Sequence, residues 1–152
     1  MKRFFQSKVF KVLTITLGIL ICFAVYFFTL SEYGYFLRIK DEAFSICGVI
    51  GTDWDCLILD TKASAIPFEE MSDIQLRLQF REQAEAQDAI EFTNGRLGFS
   101  DSLFSRMQTT TVTMGTQREE NEDYIVTWTY SRNTGLEVKY QIKLLAILKP
   151  GG

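Results

Sequence analysis

The 152-residue chain contains no histidine. Histidine is the general base of Ser-His-Asp and Cys-His nucleophile systems, a common zinc ligand and the usual proton shuttle near neutral pH. These kinds of site are therefore excluded, and a hydrolase or transferase would depend on carboxylate, lysine, tyrosine or cysteine side chains alone. No such constellation is visible, so we expect a protein that is not an enzyme and uses no cofactor.

Metal-binding and phosphate-binding patterns are also missing. Gly95 and Gly98 do not form a phosphate loop, because no helix start follows them. The acidic residues are clustered, but none of the clusters has the twelve-residue spacing of a calcium loop. We expect them to be solvated surface rather than a metal site. They comprise Asp53 and Asp55, Glu69 and Glu70, and Glu119, Glu120, Glu122 and Asp123.

Charge is unevenly distributed along the chain. The first eleven residues hold four basic residues and no acid, so the rest of the chain carries −7 within a formal total of −3. An acidic domain gains nothing from counterion release on a phosphate backbone, and we therefore expect no nucleic-acid partner. A short basic arm is typical of a topology signal beside anionic lipid.

One run near the N-terminus lacks charge altogether. Residues 12–30 read VLTITLGILICFAVYFFTL, and a helix of this length covers roughly the 30 Å of a hydrocarbon core. The basic arm before it and the mixed charges after it favour a cytoplasmic N-terminus. The sequence thus predicts a single-pass protein of the bacterial inner membrane, with a periplasmic or extracellular C-terminal domain.

A cleaved signal peptide is the alternative interpretation of this run. Signal peptides have an apolar stretch of roughly 7–15 residues followed by small residues at the cleavage site. The run here is longer, and Phe27 to Glu32 contains no convincing small-x-small pair. We therefore expect an uncleaved anchor and divide the chain into a basic cytoplasmic tail (1–11), a transmembrane helix (12–30), a juxtamembrane stalk (31–46) and an extracytoplasmic β domain (47–152).

Two of the three cysteines flank a glycine-containing segment. Cys47 and Cys56 bracket GVIGTDWD, where Gly48 and Gly51 permit a tight reversal that brings the two sulfurs together. In an oxidising compartment these cysteines are candidates for a disulfide. Two small buried apolar residues are the alternative.

The later sequence alternates between apolar and polar residues, which is typical of half-buried strands. Asn94 and Gly95 have the residue types of a type I′ turn, which would pair Ile90 with Phe99 in a hairpin. Further strands are predicted at MQTTTVTMGT and near Trp54 to Asp60, with QREENED as a charged connection. The alternating apolar sets are Ile74, Leu76, Leu78 and Phe80; Tyr124, Val126, Trp128 and Tyr130; and Leu136, Val138, Tyr140, Ile142 and Leu144.

About seven strands joined by short turns predict a mainly β fold. A meander of this kind must close or cover its edges. We therefore expect a single N-terminal transmembrane helix followed by an antiparallel meander, which closes into a small up-and-down barrel or a strongly curled sheet.

The chain resembles membrane-anchored lipocalin-like (calycin) domains, in particular the periplasmic ToxS-like partners of membrane-bound transcription activators. Gly51 and Trp54 are spaced Gly-x-x-Trp where the lipocalin first strand shows Gly-x-Trp, and IEFTNGRLGFS is similar to the hairpin strands of small calycin barrels. The resemblance implies a barrel, a membrane-protein partner and an amphipathic ligand. The different spacing prevents the tryptophan's role from being carried over.

The aromatic residues allow two interpretations, a solid core or the lining of a ligand cavity. Small barrels can enclose one ligand, and an aromatic lining with hydroxyl groups suits an amphipathic molecule. The candidate ligand-binding residues are Phe80, Phe92, Phe99, Tyr124, Trp128 and Tyr130.

These observations favour a membrane-anchored binding or accessory module. Its expected partners are the lipid bilayer and another envelope protein, such as a membrane-bound regulator, with which it would form a hetero-oligomer. The alternative is a structural subunit of a secretion, conjugation or pilus-type complex that contacts its neighbours by strand addition.

Overall fold

The computed structural model describes residues 8–47, 51–61, 70–132 and 134–151. Most of the basic tail and the segment 62–69 lie outside the described residues. The helices are α1 (Lys8–Val25), a π-helical turn (Tyr26–Leu30), α2 (Glu32–Cys47), α3 (Asp73–Arg96), α4 (Ser102–Gln108) and a 3-10 turn (Val112–Met114). The strands are β1 (Gly51–Asp53), β2 (Cys56–Asp60), β3 (Gln117–Glu120), β4 (Tyr124–Ser131) and β5 (Gly135–Ile142).

The strands form one open antiparallel sheet in the order β1-β2-β5-β4-β3. Of the residues that the structure describes, 55% are helical and 23% are in strands. The prediction of a mainly β fold that closes into an up-and-down barrel is therefore wrong. Closure is unnecessary because helices cover one face of the sheet and bury its apolar side chains.

Helix α1 and the π-helical turn form an exposed apolar rod, whose last residues contact the domain through Tyr26 and Phe27. Among the described residues, one helical stretch, Phe10–Leu30, is long and apolar enough to cross a membrane, and the folded chain buries none of it. A membrane anchor and a signal sequence both have these properties.

The rod joins the folded domain at a sharp turn centred on Ser31. Ser31 has extended backbone angles (φ −82°, ψ 164°) and is completely buried. Its Oγ accepts a hydrogen bond from Gly34 N at 3.2 Å, which caps the first turn of α2. The chain then folds back so closely that a Cβ on Gly34 would lie 2.5 Å from the carbonyl oxygen of Phe28. Only glycine fits at this position.

Helix α2 covers the segment that the sequence predicts as a stalk, and it contributes to the core. Phe36, Ile39 and Ala43 are fully buried, and α2 packs against α3. Lys40 is also buried, and its Nζ donates to the carbonyl oxygen of Asp53 at 2.5 Å. Burial lowers the pKa of the Lys40 ammonium. The segment after the rod is therefore a packed helix of the folded domain.

The sheet confirms the predicted alternation in its two longest strands. Strands β4 and β5 pair throughout, from Tyr124 opposite Ile142 to Ser131 opposite Gly135. The face towards the helices buries Tyr124, Val126 and Trp128 of β4, Leu136, Val138, Tyr140 and Ile142 of β5, and Leu57 and Leu59 of β2. Tyr130 and Leu144, which were predicted to continue these faces, are exposed.

Helix α3 replaces the predicted strand at Ile74–Phe80, the first strand of the predicted hairpin at Ile90 and the hairpin turn that follows it. The alternating segment from Ile74 to Phe80 and the Asn94-Gly95 dipeptide both lie inside this helix. It begins with a capping box in which Ser72 and Gln75 bond each other's backbone N–H groups. The buried positions in the second half repeat every three or four residues, as on one face of a helix: Ala86, Ala89, Ile90, Thr93 and Asn94.

The predicted strand MQTTTVTMGT and the charged connection after it were also wrong. Met107 and Gln108, the first two residues of the predicted strand, are the last two residues of α4, and Val112–Met114 form a 3-10 turn. The segment QREE, which was predicted to be a connection, is strand β3 at the sheet edge. Its charged residues are compatible with an edge strand because half of their side chains face solvent.

Gly34→Ala tests whether the close approach at Ser31 holds the rod against the domain. We expect a loss of about 1–3 kcal/mol in the free energy of unfolding, because the new methyl group overlaps the Phe28 carbonyl. The measurement is denaturant unfolding in detergent micelles, followed by near-UV circular dichroism.

Gly95→Ala is the matched control for this substitution. Gly95 is also helical, but a Cβ there meets nothing within 4 Å. Removing a helical glycine should stabilise the chain by about 0.5–1 kcal/mol. Equal effects of the two substitutions would contradict the role assigned to Gly34.

Candidate functional site

A cleft lies beside the Ser31 turn, and we call it the rod-proximal cleft. Its volume is about 460 Å³, and it lies between the start of α2, the end of α3 and the β3–β4 turn. It is lined by Glu32, Tyr35, Arg96, Leu97, Gly98, Asn121, Glu122, Asp123, Tyr124 and Pro150.

A buried acid, Glu32, is one of the residues that line this cleft. Glu32, the first residue of α2, is buried, and its Oε1 accepts a hydrogen bond from the hydroxyl group of Tyr124. The ring of Tyr124 also packs on Phe36, with centroids 5.7 Å apart. Burial, and then the hydrogen bond to Glu32, raise the pKa of the Tyr124 phenol well above its usual range. The pair therefore links the start of α2 to the first residue of β4.

Asn121 organises the β3–β4 turn on one side of the cleft. Its Oδ1 accepts from the backbone N–H groups of Asp123 and Tyr124 at 3.1 and 2.9 Å. Its Nδ2 donates to the carbonyl oxygen of Leu97 at 2.7 Å, which ties the turn to the end of α3. The sequence analysis missed this residue, although asparagine side chains commonly bond the backbone two residues further on, as in an Asx turn.

Arg96 borders the cleft on the α3 side. Its guanidinium lies 5.4 Å from the ring centroid of Tyr35 and 5.9 Å from that of Phe92. The Tyr35 hydroxyl donates to the Arg96 carbonyl oxygen at 3.0 Å. These contacts join α2 and α3 at the same level as the Glu32–Tyr124 pair.

The acidic residues of the cleft rim are paired with a lysine. Lys149 Nζ contacts Glu122 Oε1 at 2.7 Å and Asp123 Oδ1 at 2.5 Å. These two hydrogen bonds raise the pKa of the Lys149 ammonium. Lys149 therefore links the segment after β5 to the β3–β4 turn at the rim of the cleft.

The predicted ligand-binding aromatics lie in different environments. Phe99, Tyr124 and Trp128 are buried in the core, and the indole N–H of Trp128 donates to Thr110 Oγ1 at 2.8 Å. Phe92 is half-buried on α3 and Phe80 is exposed on the same helix.

Tyr130 is 38% exposed and borders a second open cleft of about 490 Å³, next to Gln108–Thr113 and Arg132. The structure therefore does not bring the six aromatics together around one cavity. Three of the six, Phe99, Tyr124 and Trp128, are core residues, as in the interpretation of a solid core.

The predicted disulfide is not formed. Cys47 ends α2, Cys56 begins β2, and no disulfide joins them. Cys56 is buried, as in the alternative interpretation of a small apolar core residue. Trp54 is exposed in the β1–β2 turn.

The acidic clusters do not converge on a metal site in the described part of the chain, where no group of three or more suitable side chains could hold an ion. Glu69 lies outside the described residues. Glu119 and Glu120 form ion pairs with Arg106 and Arg118.

Comparisons with known proteins give no family. No protein-family model matches the chain, and no curated protein or solved structure is significantly similar to it. Assignment of a function therefore depends on the geometry of this chain alone.

Tyr124→Phe tests the structural role of the buried pair. We expect a loss of about 1–3 kcal/mol in the free energy of unfolding, because the buried Glu32 carboxyl group loses its phenol donor. Tyr130→Phe removes a hydroxyl group from an exposed ring and should change stability by less than about 0.5 kcal/mol. The measurement is urea unfolding in detergent at neutral pH.

The same variants should differ in alkaline solution. The phenol of Tyr124 stays protonated in the folded chain, whereas tyrosines of the unfolded chain ionise near pH 10. Above about pH 10 the unfolded chain therefore binds fewer protons, and stability falls as pH rises. The buried Tyr140 phenol also has a raised pKa, so the stability of Tyr124→Phe should still fall with rising pH. The fall should be shallower than in the parent protein, because one of the two buried phenols is missing. Equal slopes would contradict the burial of an ionisable Tyr124.

Proposed function

We propose that this chain is a membrane-anchored accessory module of the bacterial inner membrane, without catalytic activity of its own, which pairs with another envelope protein. The observation that carries the proposal is the exposed apolar rod of Phe10–Leu30 joined without a linker to a folded domain. The N-terminus would be cytoplasmic and the domain periplasmic or extracellular.

The join between rod and domain supports an anchor with a fixed orientation. Ser31 is buried, Glu32 is hydrogen-bonded to Tyr124, and Arg38 Nη1 donates to the Thr29 carbonyl oxygen at 2.7 Å. A flexible stalk would let the domain sample many orientations. The contacts here hold the domain against the end of the rod, which suits a module that presents one surface to a neighbour.

The first half of α3 supplies such a surface. The buried residues of α3 begin at Ala86, so the preceding part of the helix, about 20 Å long, contributes little to the core. Ile74 is 73% exposed and Leu78 is also exposed. These two residues are four positions apart and so lie on one helical face. Paired apolar anchors at this spacing are typical of helices that dock against another helix.

The alternative of strand addition has less support. The edge strands are short, with three residues in β1 and four in β3. In β3, Glu119 pairs with Arg106, and Arg118 lies 2.7 Å from Glu120. Short and charged edges are features that discourage pairing with another chain. The proposal also includes no small amphipathic ligand, because the aromatics predicted to bind one lie in separate environments.

The membrane topology can be tested with a C-terminal alkaline phosphatase fusion. We expect an active reporter that stays in the membrane fraction after carbonate extraction, because the uncleaved rod holds the chain and the domain is exported. An inactive reporter would overturn the orientation. A mature product that lacks roughly its first thirty residues would identify the rod as a cleaved signal peptide.

The partner surface can be tested by photo-crosslinking from α3. A photoreactive amino acid at Ile74 or Leu78 should give an adduct with an integral membrane protein, identified by mass spectrometry. Gln87, which is exposed on the opposite side of α3, is the matched control and should give none. Adducts from Gln87 alone, or none from all three positions in intact cells, would contradict the proposed surface.

A further inference from the structure

The segment that follows β5 exposes several large apolar side chains at the surface of the domain. In Lys143–Leu148, which we call the leucine turn, Ala146 and Ile147 face the core and are buried. Leu144, Leu145 and Leu148 point outwards and are 78%, 89% and 59% exposed. Three outward leucines within five residues form a contiguous apolar patch, which on a soluble protein marks an interaction surface.

The chain fixes this patch beside the membrane-spanning rod. Glu32 N donates to the Lys149 carbonyl oxygen and Gly151 N to the Leu30 carbonyl oxygen, both at 2.7 Å. The hydroxyl group of Tyr26, a residue of the rod, donates to the carbonyl oxygen of Leu148 at 2.9 Å. The leucine turn therefore lies where the rod leaves the bilayer, and its position is set by direct bonds to the rod.

The charges around the leucine turn are compatible with a lipid surface. Acidic groups close to anionic headgroups would be repelled, but Glu122 and Asp123 are both paired with Lys149. Lys143 Nζ donates to the Asn121 carbonyl oxygen at 2.6 Å and lies 3.9 Å from Glu120. Two lysines that flank a set of leucines are typical of segments that lie in the membrane interface.

We propose that Leu144, Leu145 and Leu148 insert into the membrane interface beside the rod, so that the domain contacts the bilayer at two points. This inference rests on the membrane anchoring in the proposed function. Lipid is favoured over a protein partner because the bond from Tyr26 to Leu148 places the patch beside the exposed apolar surface of the rod, which on the proposed function lies in lipid. Two points of contact would restrain tilting of the domain about the Ser31 turn.

Tryptophan quenching by brominated lipid tests the insertion. The full-length protein is reconstituted into phosphatidylcholine vesicles, with or without bromine on the acyl chains, in a Trp54→Phe background. Trp128 is buried in the core and contributes the same signal to every variant. Leu145→Trp reports on the leucine turn and Phe23→Trp on the rod. Arg132→Trp, at the far end of the β4–β5 hairpin, is the matched control.

If the inference holds, brominated lipid quenches Leu145→Trp and Phe23→Trp, whereas Arg132→Trp keeps the background signal. Bromine near the headgroups should quench Leu145→Trp most, and bromine deep in the acyl chains should quench Phe23→Trp most. Quenching of Phe23→Trp alone would overturn the inference and leave the anchor intact.

Two other results would also overturn the inference. An unquenched Leu145→Trp with blue-shifted emission would show that protein covers the leucine turn. An unquenched Phe23→Trp would show that the rod does not lie in the bilayer, which would contradict both the membrane anchor and the insertion of the leucine turn.

Discussion

The fold depends on one junction, where the end of the chain pairs with the residues that leave the apolar rod. Ser31 and Pro150 form an antiparallel bridge, with hydrogen bonds from Glu32 to Lys149 and from Gly151 to Leu30. The bridge satisfies backbone groups at a helix break that would otherwise be buried without partners. It also places the start of α2, the end of the sheet and the rod in one packed unit. The orientation of the domain relative to the rod follows from this contact.

Buried polar side chains then connect the layers around this junction. The Tyr124 phenol bonds Glu32 of α2, and the Tyr140 phenol bonds Asn94 Oδ1 of α3 at 2.9 Å. The Trp128 indole bonds Thr110, just after α4. Each bond joins the sheet to a different helical segment, and each would leave a costly unpaired group if the layers shifted. Apolar burial supplies most of the stabilisation, whereas these three bonds specify the arrangement of the layers.

Sequence periodicity correctly predicted those elements in which the spacing of the apolar residues matches the positions that are buried or exposed in the structure. The uncharged run is an exposed helix, and the alternation in Tyr124–Trp128 and Leu136–Ile142 corresponds to β4 and β5. It failed for α3, where Ile74, Leu76, Leu78 and Phe80 alternate although they lie in a helix, and where the buried positions begin only at Ala86. The Asn94-Gly95 dipeptide was equally misleading, because Asn94 is buried in a helix and bonded to Tyr140. The turn preference of the dipeptide is outweighed by the burial of this face of the helix, because tertiary packing overrides local propensity.

The candidate site could not be found from the sequence because its residues come from distant parts of the chain. Glu32 and Tyr124 are 92 positions apart, and Tyr26 and Leu148 are 122 apart. By itself the sequence determined the local properties: an apolar rod of membrane length, two alternating strands and the absence of histidine chemistry. Tertiary structure alone decided that the sheet stays open, that Cys56 is a core residue and that three leucines face outwards beside the rod. Local periodicity records which side of an element is apolar, but the element that covers it is chosen by packing between residues far apart in the chain.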